Sequence, residues 1–299
     1  MIDDTIVPES GARRQVLDII RQNGTAAHPP VIQLRFSVQQ IRLVTNLRIF
    51  GVEGMPGMTV KLTPRAPQPG LYSIPREVHG RRIVSRHLNG KIGIPVIRAH
   101  SAAGGWLVED FIDGRRAVRE DLARFVVRHA ETVYLSTARL RRVKRNPARA
   151  RIVMALEKSL NRLFPPIDEQ ALWAECVGHN DLHLDNLLCS SDGKMWLLDW
   201  EHCGVVPLAR DLGAIFCQMP TLRPALLGLL ALADPNGQAL DPPHQLALGA
   251  SLALQRLAEQ RRRDIRVLVA ERGLSEREAE REIDGTMEKA RQSIARLAA

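Results

Sequence analysis

Two segments near residue 180 constrain the fold of this chain more than any other feature. The first runs from His179 to Asn186 and is polar, with the carboxylate of Asp181 five residues before the amide of Asn186. The second begins as an apolar run and ends at Asp199, eighteen residues after Asp181. Three polar side chains that could act together are therefore Asp181, Asn186 and Asp199.

The residues between Asn186 and Asp199 predict a β-hairpin. Residues 186–189 and 194–198 indicate two short strands, and the Ser-Ser-Asp-Gly sequence at 190–193 is typical of a turn. A hairpin brings the start of its first strand beside the end of its second strand. We therefore expect the side chains of Asn186 and Asp199 to lie at the same opening, or mouth, next to the preceding polar loop.

This pattern is typical of phosphoryl transfer from Mg-ATP to a hydroxyl group. The reaction needs a carboxylate beside the acceptor proton and oxygen ligands for Mg²⁺. Asp181 can provide the first, and Asn186 and Asp199 can provide the second. The same five-residue step separates the base from a metal ligand in the catalytic loop of protein kinases, with Asn180 standing where that loop has arginine.

At these residues the sequence resembles the aminoglycoside phosphotransferase and choline/ethanolamine kinase family, whose members share the protein-kinase fold. The likeness covers roughly residues 40 to 216. It is strongest over His179–Asn186 and from Leu198–Glu201, Leu-Asp-Trp-Glu, to Asp211–Gly213, Asp-Leu-Gly. The resemblance implies an α+β, protein-kinase-like two-lobed fold, with a small β-rich N-lobe and a larger, mainly helical C-lobe.

The resemblance also implies a role for each matched position. Asp181 would be the catalytic base, and Asn186 and Asp199 would hold Mg²⁺. His179 and Asp211 would brace the loops through hydrogen bonds. The implied enzyme is a kinase that uses ATP or GTP and phosphorylates a hydroxyl of a small molecule or glycan.

Two positions next to the base depart from the aminoglycoside branch of that family. Asn180 stands where glycine is usual there, and Leu184-Asp185 stands where Pro-Gly is usual. We interpret both as tolerated loop variants, since asparagine at the first position is familiar from the choline-kinase branch. His183 occupies a place where the family often has histidine, and it could contact phosphate or substrate or serve only as a structural histidine.

The upstream half supplies a candidate pair for the nucleotide phosphates. Lys61 lies in an alternating, β-prone stretch, Met58–Leu62, which predicts a strand that points the lysine to one face. Glu77 opens a predicted helix that has Pro75 near its first turn and stops at Asn89-Gly90. In a kinase fold such a lysine steadies the α- and β-phosphates, and such a glutamate orients the lysine. We therefore expect an ion pair between Lys61 and Glu77.

The segment expected to cover the phosphates is poor in glycine. Protein kinases place several glycines there so that backbone N–H groups can approach the phosphates. This chain has Leu43–Asn46, which resembles the Leu-Thr-Asn segment of choline-kinase-like members and makes Asn46 a candidate nucleotide contact. The usual preceding glycine pair is replaced by Ile41-Arg42. The replacement motivates an alternative function, a non-catalytic kinase-like module that binds a nucleotide or a partner.

The predicted organisation has three parts. Residues 1–32 form an N-terminal extension with a short helix from Gly11 to Asn23, residues 33–110 form the N-lobe, and residues 111–299 form the C-lobe. The hinge between the lobes is expected at Glu109–Gly114.

The C-lobe is predicted to end in two helices. The first opens at Pro242, and the pair is separated at Gly273–Ser275. Ser275 with Glu278 is typical of a capping box, which would start the second helix.

The charge distribution bears on the acceptor. Residues 115–151 hold twelve Lys or Arg against three acidic residues, so this segment alone has a positive excess equal to the net charge of the whole chain, +9. Such a cluster favours an anionic acceptor or peripheral contact with an anionic membrane surface, unless it is only a solvated surface. Nucleic acid is less favoured, because few aromatic side chains interleave the arginines.

Two cationic acceptors known for the family are disfavoured. Choline is held by an aromatic cage, and residues 217–299 contain no Phe, Tyr or Trp, which leaves Trp200. Aminoglycosides require acidic clusters, and the last predicted helix supplies one that alternates with Arg277 and Arg281, so surface pairs are expected instead. The acidic residues are Glu276, Glu278, Glu280, Glu282 and Asp284.

Other site classes and compartments are disfavoured. A metal hydrolase using residues 179–185 would need a third histidine or a His-Glu-x-x-His helix, and the segment has neither. The four cysteines lack Cys-x-x-Cys spacing and are expected to be reduced core residues. No signal peptide is recognisable, and the longest apolar stretch, Ala225–Ala233, is too short to span a bilayer. We therefore expect a cytoplasmic protein.

Overall fold

The structure is a computed structural model that describes residues 31–35, 45–50, 58–62, 73–88, 90, 92–103, 106–144 and 147–297. The predicted N-terminal helix, Gly11–Asn23, lies outside these residues, as do Leu43 and Val44 of the predicted phosphate-covering segment. The described residues form a β-rich part followed by a mainly helical part.

A five-stranded antiparallel sheet forms the first part. Its strands pair in the order β1-β2-β3-β5-β4. The predicted strand around Lys61 is confirmed as β3, and the register sets Lys61 between Asn46 of β2 and Leu107 of β5. The strand bounds are β1 Val31–Arg35, β2 Thr45–Phe50, β3 Met58–Leu62, β4 Ile97–Ser101 and β5 Trp106–Asp110.

One helix, α1 (Ile74–Leu88), packs against this sheet. Pro75 lies in its first turn, where the missing N–H leaves no bond unmade, and Glu77 favours the same end through the helix dipole. The helix ends before Gly90, whose φ of 79° is in the left-handed region, so the predicted stop is confirmed. The apolar layer between helix and sheet contains Ile74, Val78 and Leu107.

The second part contains two small antiparallel sheets. Their strand orders are β10-β9-β6 and β11-β8-β7. The β9–β10 pair is the predicted hairpin, and the chain enters this part over residues 111–113, inside the predicted hinge. The strand bounds are β6 Gly114–Arg116, β7 Arg139–Arg142, β8 Leu172–Gly178, β9 Leu187–Ser190, β10 Met195–Leu197 and β11 Gly204–Pro207.

Helices fill the remainder of the second part. Their apolar faces meet in one core whose largest fully buried side chains include Trp200, Tyr134 and Phe125. A π-helical turn, Val126–Ala130, joins α2 to α3. The helix bounds are α2 Arg119–Phe125, α3 Glu131–Tyr134, α4 Pro147–Leu160, α5 Leu208–Gln218, α6 Arg223–Leu232, α7 Pro242–Arg272 and α8 Glu276–Ala295.

The predicted pair of C-terminal helices is confirmed as α7 and α8. Gly273 ends α7 with a φ of 65°, and Ser275 caps α8 by accepting the N–H of Glu278 while Glu278 accepts the N–H of Ser275 at 2.9 Å. Part of the surface pairing of α8 involves an arginine of the neighbouring helix rather than of α8 itself. Arg261 of α7 binds Asp284 of α8 at 2.8 Å, because the two helices pack side by side and offer closer partners than a single helix face.

Burial agrees with the prediction of reduced cysteines. All four are free, with Cys176 and Cys189 buried and Cys203 and Cys217 half-buried. Burial raises the pKa of the Cys203 and Cys217 thiols to about 12, so both stay protonated near neutral pH. No helix in the described ranges is long and apolar enough to cross a membrane.

The position of α7 is fixed by a backbone contact with α5. A Cβ added at Gly249 would lie 1.7 Å from the carbonyl oxygen of Ala209, and one at Gly213 would lie 2.1 Å from the carbonyl carbon of Gly249. We expect Gly249→Ala to lower the free energy of unfolding by about 3 kcal/mol or more, because the helices must move apart. Urea unfolding measures the change.

The matched control is Gly285→Ala on α8, where an added Cβ meets nothing within 4 Å. This substitution should leave stability unchanged or raise it by up to about 1 kcal/mol, since alanine is the better helix former. Equal effects of the two substitutions would contradict the backbone contact.

Asp121 ties the start of α2 to β6. It accepts the N–H of Val118 and an N–H of Arg115, both at 3.0 Å, and it also pairs with Arg124. The hydrogen bond from Arg115 lowers the pKa of Asp121 from 3.8 to about 2. We expect Asp121→Asn to lower the free energy of unfolding by about 1 kcal/mol near neutral pH.

That loss should depend on pH. Because the folded-state pKa of Asp121 lies below its unfolded value, the carboxylate stabilises the fold above about pH 4 and loses this effect as the pH falls towards about 2. Unfolding free energies of both proteins at several acidic pH values measure the difference. A difference that stayed constant down to pH 2 would contradict the assignment.

Candidate active site

The loop that follows β8 is held by a buried aspartate on α5. Asp211 accepts the backbone N–H groups of His179 and Asn180, each at 2.7 Å. Burial raises the pKa of Asp211, although His179 and the two N–H donors oppose the shift. The φ of Asn180 is 68°, a left-handed conformation that asparagine tolerates, and it turns the chain so that Asp181 follows at the mouth.

His179 connects this loop to the end of the β9–β10 hairpin. Its Nε2 lies 2.6 Å from the carbonyl oxygen of Leu198, so the ring nitrogen donates to that oxygen. The ring also packs on Trp200 at a centroid distance of 4.7 Å. The structure thus places His179 and Asp211 among the groups that brace the loops, where the sequence predicted them.

The hairpin brings Asn186 and Asp199 to one mouth. Asn186 lies in a 3₁₀ turn just before β9, and its carbonyl oxygen accepts the N–H of Leu198 at 2.9 Å. Asp199 follows with a φ of 52°, a strained value for a residue other than glycine. Because residue 198 is bonded to residue 186, the side chains of 186 and 199 flank the same opening.

The donor set at this opening fits a magnesium ion. Asn186 is buried, and its Nδ2 donates to the carbonyl oxygen of Asp181 at 3.0 Å. This bond fixes the amide so that Oδ1 remains as a ligand, and within the described residues Oδ1 receives no hydrogen bond. Asp199 adds a carboxylate with a quarter of its side chain exposed. Mg²⁺ prefers oxygen ligands of these two kinds.

Lys61 reaches the same opening from the β-rich part. Its Nζ lies 2.5 Å from Asp199 Oδ1, 3.5 Å from Glu109 Oε1 and 3.8 Å from Glu77 Oε1. Burial would raise the pKa of Asp199, but the ion pair and hydrogen bond from Lys61 outweigh it and hold that pKa below its usual value. The expected contact between Lys61 and Glu77 exists, yet Asp199 is the nearer partner.

Glu77 is shared with an arginine that the sequence analysis missed. Arg81 Nη2 lies 2.6 Å from Glu77 Oε1 and 2.7 Å from Glu109 Oε2, and all three side chains are buried. Glu77 Oε2 is buried with no hydrogen-bond partner in the described ranges. The four-residue step from Glu77 to Arg81 on one helix face could have revealed this pair, whereas the role of Glu109 depends on the pairing of β5 with β3.

Two further contacts join α1 to the hairpin end. The N–H of Ser73 donates to Glu201 Oε2 at 2.9 Å. A Cβ added at Gly80 would lie 2.0 Å from the carbonyl oxygen of Trp200, so the helix approaches the 200–202 turn at backbone distance. These contacts hold the helix of Glu77 next to the strand end that carries Asp199.

The candidate base Asp181 faces the outer side of the opening. Arg256 of α7, which the sequence analysis did not identify, forms an ion pair with it at 3.0 Å between Nη2 and Oδ1. His183 Nε2 lies 4.0 Å from Asp181 Oδ2 and its Nδ1 lies 3.9 Å from Asp185 Oδ2. His179 and His183 therefore turn to different partners, and no group of three His, Cys, Asp or Glu residues in the described ranges could hold a metal ion.

Asn46 differs from its predicted setting. The sequence analysis assigned it to a loop over the phosphates, but the structure has Thr45 and Asn46 in β2, where pairing with β3 satisfies their backbone groups. Asn46 lies opposite Lys61 in this register.

Comparisons with known proteins agree with this geometry. The model of the phosphotransferase enzyme family matches residues 62–231, more than half of the chain. The match begins one residue after Lys61 and includes the other residues of the site except Asn46 and Arg256. No curated protein sequence gives a significant match.

Solved structures of kinases share the fold. A spectinomycin phosphotransferase in complex with ADP and spectinomycin superposes with a TM-score of 0.59 at 12% identity, covering 94% of this chain and 98% of that chain. Choline kinase LicA from Streptococcus pneumoniae gives 0.57 at 14% identity, with 93% and 98% covered. Macrolide 2'-phosphotransferase MphH from Brachybacterium faecium gives 0.52 at 14% identity, with 90% and 97% covered. The predicted α+β, protein-kinase-like fold is confirmed.

Proposed function

The chain belongs to the phosphotransferase enzyme family, and from this premise we propose that it transfers the γ-phosphoryl group of ATP or GTP to a hydroxyl of a small molecule or glycan. One observation carries the proposal. Lys61, Asp199 and the loop that carries both Asp181 and Asn186 come from three separate stretches of the chain and meet at one opening, through contacts of 2.5 Å between Lys61 and Asp199 and 3.0 Å between Asn186 and Asp181.

Asp181 is the proposed base. Phosphoryl transfer needs a carboxylate that orients the acceptor hydroxyl and takes its proton. Asp181 is a quarter exposed at the mouth, and its backbone is held by Asn186 and by the neighbouring bonds to Asp211. A rigid backbone with an accessible carboxylate is what a general base requires.

Asn186 and Asp199 are the proposed magnesium ligands. When bound, Mg²⁺ would neutralise negative charge on the phosphate oxygens of the nucleotide. The hydrogen bond to the carbonyl oxygen of Asp181 fixes the Asn186 amide, and the ion pair with Lys61 keeps Asp199 ionised. Both side chains are therefore ready to bind the metal ion.

Lys61 is the proposed contact for the nucleotide phosphates, with Glu77 as its orienting partner. Asp199 cannot serve Lys61 and a metal ion equally, so Lys61 should turn from Asp199 towards the phosphates when nucleotide binds. Glu77 Oε2 is a buried acceptor without a partner among the described residues, and it can accept an N–H of Lys61 in the turned position. Asn46 is a proposed additional nucleotide contact, since it lies opposite Lys61 in the sheet register.

The remaining parts of the proposal concern organisation and surroundings. The N-lobe would comprise residues 33–110 and the C-lobe residues 111–299, which is supported by the change of sheet between β5 and β6. A cytoplasmic setting is supported by the four free cysteines. Peripheral contact with an anionic membrane surface is supported by the exposed side chains of Arg139, Arg141 and Arg142 on β7.

The test is Mg²⁺-dependent release of ADP or GDP by the purified protein. Acceptors are offered in pools of neutral sugars, sugar phosphates, sugar acids, aminoglycosides and amino alcohols, and Asp181→Asn is the control for adventitious hydrolysis. We expect at least one pool to stimulate release in the unmodified protein only. Binding of Mg-nucleotide without stimulation by any pool would favour the non-catalytic module, and loss of binding as well would remove the proposal.

A further inference from the structure

The long helix α7 carries a positive charge to the catalytic loop. Arg256 Nη1 donates to the carbonyl oxygen of Asn180 at 2.8 Å, and Nη2 forms the ion pair with Asp181 Oδ1 at 3.0 Å. About a quarter of the Arg256 side chain is exposed. A guanidinium has five N–H donors in a planar fork, so donors remain for a ligand that enters the mouth.

Helix geometry explains why Arg256 lies there. Gln245, Gly249 and Arg256 follow one another at four and seven residues, which puts them on one face of α7. Gln245 accepts the N–H of Ala174 in β8 at 3.2 Å, and Gly249 lies against the backbone of Ala209 in α5. The same face therefore reaches the catalytic loop about two turns later, at Arg256.

A second arginine lies beside the first. Arg210 follows Ala209 on α5, and within the described residues it makes no ion pair. Burial and the charge of Arg256 lower the pKa of Arg210, while Asp211 and Asp181 act in the opposite direction. Arg210 also directly precedes Asp211, whose carboxylate accepts the backbone N–H groups of His179 and Asn180, so it lies beside the loop that carries the candidate base.

The acidic groups nearby do not neutralise this pair completely. Asp211 is engaged by the backbone N–H groups of His179 and Asn180. The acidic residues of α8 could have attracted a cationic acceptor. Two of them already pair with Arg261, Asp284 at 2.8 Å and Glu280 at 3.8 Å. Arg256 is therefore the arginine that pairs with Asp181, and Arg210 adds a second positive charge that has no ion-pair partner among the described residues.

We propose that Arg256 and Arg210 form an anion subsite for the acceptor, so that the hydroxyl phosphorylated at Asp181 belongs to a molecule that also carries a carboxylate or a phosphate group. This inference rests on the proposed phosphotransfer and specifies its substrate class. Arg256 would exchange part of its pairing with Asp181 for the acidic group of the acceptor, which leaves Asp181 free to take the hydroxyl proton. Arginine suits this task because its fork matches both oxyanions.

The first experiment measures binding of four probes that share a hexose skeleton. Glucose is neutral, glucosamine is cationic, glucuronate carries a carboxylate and glucose 6-phosphate carries a phosphate. Calorimetry on the nucleotide-free and the Mg-ADP-bound protein gives each affinity without requiring turnover. We expect at least one acidic probe to bind more tightly than glucose and glucosamine, and the two acidic probes separate a carboxylate preference from a phosphate preference.

Single substitutions show which side chains bind the acidic probe. Arg256→Gln and Arg210→Gln should each weaken the acidic probe about 10- to 100-fold and leave glucose unchanged, since each removes a charge-assisted hydrogen bond. Arg256→Lys should weaken it less. Lys61→Met separates this subsite from the nucleotide site, because a phosphate bound there would depend on Lys61. Arg261→Gln, on the same helix but paired with Asp284, should change nothing.

Turnover distinguishes a binding role from a positioning role. With an acidic acceptor, Arg256→Gln should raise KM much more than it lowers kcat, whereas a residue that only positions Asp181 would lower kcat for every acceptor alike. Preference for glucose or glucosamine, absence of binding by both acidic probes, or binding that persists in the arginine variants would each overturn the proposal. Absence of Mg-nucleotide binding would instead contradict the proposed phosphotransfer. The affinities measured on the nucleotide-free protein would still decide whether the anion subsite exists.

Discussion

Replacing Asp181 with asparagine should reduce kcat by about 10²- to 10⁴-fold, the range typical for loss of a general base. Asparagine keeps the shape of the side chain, but its amide cannot accept the hydroxyl proton. The backbone bonds that hold this loop involve Asp211, His179 and Asn186, none of which changes. Binding of Mg-nucleotide should therefore persist. Steady-state release of ADP and calorimetry with Mg-ADP measure the two quantities.

Asp185→Asn is the matched control for this prediction. Asp185 lies in the same loop, is more exposed than Asp181, and pairs with Arg116 at 3.5 Å on the outer surface. It should retain most of the activity. A larger loss from Asp185→Asn than from Asp181→Asn would transfer the role of base to Asp185, and a loss of nucleotide binding in Asp181→Asn would indicate a folding defect instead.

Replacing Asp199 with asparagine should have a comparable effect for a different reason. The change removes the negative charge that would hold Mg²⁺ and also removes the ion pair with Lys61. A metal ion contributes several kcal/mol of charge stabilisation in such reactions, so we expect a loss of about 10²- to 10⁴-fold in kcat at ordinary Mg²⁺ concentrations. The Mg²⁺ concentration needed for half-maximal activity should rise, which titration of the metal measures directly.

Asp192→Asn provides the control within the same hairpin. Asp192 lies at the exposed turn between β9 and β10, where it accepts hydrogen bonds from Ser190 and from the N–H of Lys194. Its replacement should leave the Mg²⁺ titration unchanged. An unaltered Mg²⁺ requirement in Asp199→Asn would assign the metal to other ligands and contradict the proposed site.

Local sequence patterns predicted the elements that carry the chemistry. The alternation over Met58–Leu62 gave β3 and the face of Lys61, and Pro75 with Gly90 marked the two ends of α1. The Ser-Ser-Asp-Gly turn gave the β9–β10 hairpin and hence the closeness of Asn186 and Asp199. Each of these features depends on backbone preferences within a few residues, so the local sequence is enough to predict it.

The partners of these residues could not be predicted in the same way. Glu109 meets Lys61 because β5 pairs with β3, at a sequence separation of 48 residues. Arg256 meets Asp181 across 75 residues because glycine contacts set the distance between α5 and α7. Periodicity marks which face of an element is apolar, but it does not state which other element covers that face or at what offset.

The sequence by itself thus determined the α+β fold class, and it was enough to propose Lys61, Asp181, Asn186 and Asp199 as the residues of the reaction. Only the tertiary structure decided that Lys61 lies nearer to Asp199 than to Glu77, that Arg81 shares Glu77, and that Arg256 pairs with the candidate base. The reason is physical. Secondary structure follows from short-range backbone and side-chain preferences, whereas the charge of a site is the sum of groups that packing brings together from distant parts of the chain.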